Sequence, residues 1–99
     1  MKVSIDNLQD FFFAVDGEND YSAVIEATDN QPVIYIYNRE KSEIVRALII
    51  PGKIKLPYDI EVIWNNNVCQ FFLPNQQQAD YDIASNSGHV SSNFSGDWV

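Results

Sequence analysis

The sequence predicts an α+β fold, a short N-terminal helix packed on one face of a mostly antiparallel, meander-like sheet of about five strands. A small all-β barrel or roll is the alternative. Three observations carry this expectation. Apolar residues near the N-terminus fall at helical spacing. Five later segments alternate or are β-branched and aromatic, and the links between them are short and turn-forming, which favours neighbouring strands.

The helix is expected over residues 5 to 15, where Ile5, Leu8, Phe12 and Val15 share a helical face. Ser4 is placed to cap it, Asp6 lies in its first turn, Val3 and Leu8 make a hydrophobic staple, and Gly17 is a stop. The triple Phe11-Phe12-Phe13 also permits a strand from Phe11 to Val15, because aromatics favour strands.

Tyr21 to Thr28 alternates, with Tyr21, Ala23, Ile25 and Ala27 on one face, as a half-buried strand does. A turn at Asp29-Asn30-Gln31-Pro32 precedes Val33 to Tyr37, which is β-branched and aromatic throughout and is expected centrally in a sheet. Residues 43 to 50 alternate and are largely apolar on both faces. The span from 33 to 50 therefore needs cover on two sides, which sheet curvature, the C-terminal segment or a second copy would supply, so a homodimer is one expectation. Pro51-Gly52 breaks the chain, and an edge segment is expected before Pro57. Residues 58 to 64 and 68 to 73 form the best hairpin candidate, turning at Asn65-Asn66-Asn67.

After Pro74 the composition becomes polar. The expected organisation is a globular core over residues 1 to 74 and a polar segment over 75 to 99, partly ordered or packed back on the sheet. A short helix from Gln76 to Ala84 and a strand around His89 to Phe94 compete there with disorder.

The formal net charge is −8, unevenly spread: residues 1 to 38 carry −6, residues 39 to 55 carry +3 and residues 56 to 99 carry −5. This balance opposes binding to a phosphate backbone, so nucleic acid is a disfavoured partner and a basic protein a favoured one. Cys69 is the only cysteine and allows no internal disulfide, which fits a reducing compartment. With no apolar run of signal or membrane-spanning length, a cytoplasmic location off the membrane is expected.

Motifs for chemistry are sparse. Asp16, Glu18 and Asp20 have the spacing that opens a calcium-binding loop, but Tyr21 stands where its glycine is required and Ala27 where its bidentate acid is required. A solvated acidic turn is the expectation, with no metal and no cofactor. Asp59 with Glu61, and Asp80 with Asp82, have the spacing of solvent-facing strand positions. His89 is the sole histidine, and Cys69 lies among apolar neighbours.

Three function classes follow. The favoured one is a non-enzymatic acidic protein that docks on a basic protein, in the manner of toxin-neutralising or DNA-mimicking inhibitors by charge and size alone. The second is a small-molecule binder with an aromatic-lined cavity drawn from Tyr35, Tyr37, Trp64 and Phe72. The third is a small enzyme using Asp59, Glu61 or His89 as acid or base. The candidate binding residues are Asp16, Glu18, Asp20, Tyr35, Tyr37, Trp64, Phe94 and Trp98; no catalytic residue is assigned. Phe94 and Trp98 either fold back onto the sheet or anchor a partner.

Overall fold

A computed structural model describes residues 1–7, 11–28 and 31–99, and they form ten strands in two five-stranded antiparallel sheets. The strands are β1 (Lys2–Ile5), β2 (Phe11–Asp16), β3 (Tyr21–Thr28), β4 (Gln31–Asn38), β5 (Glu43–Ile49), β6 (Tyr58–Asn65), β7 (Val68–Leu73), β8 (Gln77–Asp82), β9 (Ser87–Val90) and β10 (Asp97–Trp98). The first sheet has the order β1-β6-β7-β8-β9 and the second β10-β5-β4-β3-β2.

No α-helix is present among the described residues, so the α+β expectation is overturned. Its error lay at the N-terminus. Val3 and Ile5 face inward from β1, and Phe13 and Val15 face inward from β2, each pair at the strand period of two. Two alternating segments set end to end imitated a helical repeat. Phe12, placed on the buried side of the supposed helix, points outward and is 65% exposed. The Ser4 hydroxyl donates to the Asp6 carboxylate instead of capping a helix. Leu8, the remaining member of that helical face, lies outside the described residues, as do Asp29 and Asn30 of the expected turn; Gln31 and Pro32 belong to β4.

Each sheet is a four-stranded meander completed by a strand from the other half of the chain. Strands β2 to β5 form one meander and β6 to β9 the other, but β1 pairs with β6 and β10 pairs with β5. The ladders continue beyond these strands. The Met1 ammonium donates to Val62 O at 2.7 Å, and Val99 N donates to Ala47 O at 2.8 Å.

The hairpin read at residues 58 to 73 is present, closed by Asn66 and Asn67, with Asn66 at φ 53°. Asparagine tolerates that left-handed backbone better than most residues. The expected edge segment between Pro51 and Pro57 is a loop joining the sheets. Residues 77 to 82, read as a helix candidate, form β8.

One core fills the space between the sheets. Ile5, Ile25, Ile34, Ile36, Leu48, Ile60, Val62, Cys69, Phe71 and Tyr81 are all essentially inaccessible. Phe94 and Trp98 join them at the margin. Trp98 sits 6.0 Å from the Phe71 ring and 5.5 Å from the Tyr81 ring, and its Nε1 donates to His89 O at 3.2 Å. Gly88 makes room for it, since a Cβ there would lie 2.5 Å from the indole. Trp98 thereby ties the edge of one sheet to the edge of the other.

Candidate functional site

The outward surfaces of the two sheets differ in chemistry. On the first sheet, registered rows run Lys2–Glu61–Phe72–Gln78, Ile63–Gln70–Asp80–His89 and Asn65–Val68–Asp82–Ser87. This face is mainly polar and acidic. Asp59 and Glu61, and Asp80 and Asp82, occupy its outer positions, as their spacing implied. His89 stands opposite Asp80, but β9 lies three strand spacings from β6, roughly 14 Å. The sheet thus holds His89 apart from Asp59 and Glu61, so among the described residues these three side chains do not converge.

The second sheet presents a different face. Its rows are Phe12–Glu26–Val33–Ile49, Ala14–Val24–Tyr35–Ala47 and Asp16–Ser22–Tyr37–Ile44. Alternation in β3 and β4 sends Ile25, Ile34 and Ile36 inward and leaves Val33, Tyr35 and Tyr37 outward. A register shift between Ile36 and Tyr37 lets Val45 turn toward the core while Ile44 stays outside, 59% exposed. Ile49 is 42% exposed on the same face, whereas Val24 is covered by its neighbours yet separate from the core.

Two carboxylates interrupt this apolar surface. Glu26 accepts a hydrogen bond from the Tyr35 hydroxyl at 2.7 Å. Partial burial and this carboxylate together push the Tyr35 pKa up to about 12, because both oppose a negative phenolate. Asp16 accepts from the Ser22 hydroxyl at 2.7 Å and lies 3.5 Å from Arg39.

At the end of the sheet Arg39 organises the acidic turn. It donates to Tyr21 O at 2.6 Å, to Ser22 Oγ at 2.8 Å and to Gly17 O at 3.3 Å, and it lies 3.9 Å from Asp20. Of the acidic trio, Asp16 and Asp20 therefore share one cation, and Glu18 is exposed. Asn19 extends from the same turn to Asn66 and Asn67 of the facing hairpin. Among the described residues no group of three or more His, Cys, Asp and Glu side chains is arranged to hold a metal ion.

The other candidate residues have separate positions. Trp64 packs on the core margin and its Nε1 donates to Val15 O at 2.9 Å. Phe94 and Trp98 are buried in the molecule's own core. Tyr35 and Tyr37 lie outside one sheet, Phe72 outside the other and Trp64 near the turns, so the four do not line a common cavity. Burial pushes the Cys69 thiol up, leaving it a packed sulfur rather than a nucleophile.

Sequence reasoning missed Phe12, Val33, Ile44 and Ile49 as surface residues. The available signal was the two-sided apolarity of residues 33 to 50. No helix among the described residues is long and apolar enough to cross a membrane. No family model, curated protein or solved structure matches the chain.

Proposed function

We propose that the chain is a non-enzymatic, cytoplasmic binding protein that docks on a basic protein through the outer face of its second sheet. One observation carries the reading: Phe12, Val33, Tyr35, Tyr37, Ile44 and Ile49 share one outward face, in a protein whose other sheet is mainly polar outside, with Ile63, Val68 and Phe72 set among charged and amide side chains. Contiguous apolar surface of this kind marks interaction sites, and tyrosine supplies large contact area with a polar tip.

Charge selects the class of partner. Asp16 and Glu26 stand on the face, and Glu18, Asp20, Glu40 and Glu43 lie in or beside the turns at its end, against Arg39 and Lys41. A lysine- or arginine-bearing surface complements that pattern. A second copy complements it poorly, since each chain carries −8 and would set the same carboxylates against themselves.

The test begins with affinity capture from a lysate at low and high salt. Proteins retained are then purified and titrated against the wild type, a Phe12→Ser/Ile44→Ser variant and an Asp80→Asn/Asp82→Asn variant. The expected partner is basic, binds less tightly as salt rises, loses affinity to the first variant and keeps most of it with the second. Absence of a basic partner at low salt, or equal loss with both variants, overturns the reading. So does salt-independent self-association lost with the first variant.

A further inference from the structure

At the opposite end of the molecule from the acidic turns, the loop joining β5 to β6 passes over the edge of the core and leaves a cleft of about 380 Å³. That volume lies within the ~300–1,000 Å³ range of small-ligand sites. Lys53 and Lys55 stand on this loop. Ile54 and Leu56 alternate with them, and Tyr58 and Phe94 form a buried floor.

The cleft inverts the charge of the molecule. The protein carries −8 overall, yet the described lining residues include two lysines and no carboxylate. Neither lysine makes an ion pair among the described residues, whereas Arg39 is engaged with two aspartates. An unpaired ammonium pair above an apolar floor suits a ligand that is anionic at one end and apolar at the other.

The walls are preformed. Pro51, Pro57 and Pro74 line the cleft and restrict the backbone. Across from the loop, Gln77 donates to Asn93 O at 3.0 Å, and Asn93 donates to Asn75 O at 3.1 Å. Phe94 is held by close approach of the chain at Gly96, where a Cβ would fall 2.1 Å from Ile49 O. A site with its floor and one wall already fixed loses less ordering entropy when a ligand enters.

From these features we infer that this cleft binds a small amphipathic anion, with a carboxylate, sulfonate or phosphate between Lys53 and Lys55 and an aromatic or aliphatic body on Ile54, Leu56, Tyr58 and Phe94. The cleft meets the proposed docking face only where Ile50 follows Ile49, and the inference does not depend on that face.

The probe is 8-anilinonaphthalene-1-sulfonate, compared with neutral N-phenyl-1-naphthylamine, which has similar rings without the sulfonate. Binding is followed by fluorescence and located by methyl chemical-shift changes. The sulfonate dye is expected to shift the Ile54 and Leu56 methyls and to bind about tenfold more tightly than the neutral dye. Lys53→Met/Lys55→Met removes that preference, while Phe12→Ser/Ile44→Ser leaves it unchanged. Both pairs alter exposed side chains, and thermal melts are run to check that each variant folds. Absence of binding at millimolar dye overturns the inference. So do methyl shifts confined to the Phe12–Ile49 face, or an unchanged preference in the lysine variant.

Discussion

Trp98 is buried to 8% exposure although it belongs to a strand of only two residues, so its side chain rather than its ladder should hold β10 in place. Replacing it with alanine removes an indole of roughly 200 Å² from the core margin, about 5 kcal/mol at ~25 cal/mol per Å². A compact unfolded state lowers this figure, and measured truncations of buried aromatics cost about 3–5 kcal/mol. The Nε1 bond to His89 O and the contacts with Phe71 and Tyr81 are lost together. Against a total stability of about 5–15 kcal/mol, Trp98→Ala should remove a large share. Gly88→Ala attacks the same contact from the other side, since its new methyl would lie 2.5 Å from the ring; about 1–3 kcal/mol is expected. Urea denaturation followed by far-ultraviolet circular dichroism measures both. If each variant unfolds within about 0.5 kcal/mol of the wild type, the assignment of Trp98 as the tie between the sheets is refuted.

Arg39→Met should cost about 1–2 kcal/mol, discounted because the side chain is one-third exposed, and most of the loss should persist at high salt if the bonds to Tyr21 O and Ser22 Oγ dominate. Tyr35 should ionise well above a free tyrosine in an absorbance titration, and Glu26→Gln should bring it down. Its folded pKa exceeds its unfolded value, so this contribution to stability is fully present below about pH 10 and is lost as pH rises toward about 12. Parallel denaturation of the wild type and Tyr35→Phe across that window tests the sign. Cys69 should resist a thiol reagent in the folded protein and react at the rate of unfolding; reaction at the rate of a free cysteine contradicts its burial.

The strands were legible wherever one face alternated cleanly or a turn residue marked the end, as in residues 21 to 28 and 58 to 73. Residues 5 to 15 misled because spacing was counted across a strand boundary, making Ile5 and Val15 seem to share one element. The second sheet was hidden for a related reason. Periodicity reports which residues face together within a segment, but not that β1 crosses to β6 or that β10 returns to β5. The candidate face is half visible in the sequence: Tyr35 and Tyr37 stand out in a β-branched and aromatic run, while the helical spacing of Phe12 points it inward. The lysine-rimmed cleft was not visible, because nothing local indicates that Lys53 and Lys55 will lie over Tyr58 and Phe94.

The reciprocal exchange of β1 and β10 between the two meanders has a kinetic consequence. Each meander closes through neighbouring strands, but β1 must find β6 across about fifty-five residues and β10 must find β5 across about fifty. These late, non-local closures raise the contact order and place the fold among slower-folding small domains. The exchange should also make the halves mutually dependent. A single cut in the 51–57 loop would leave two fragments, each holding an edge strand of the other's sheet, so the nicked protein should stay associated and the separate pieces should regain structure only when mixed.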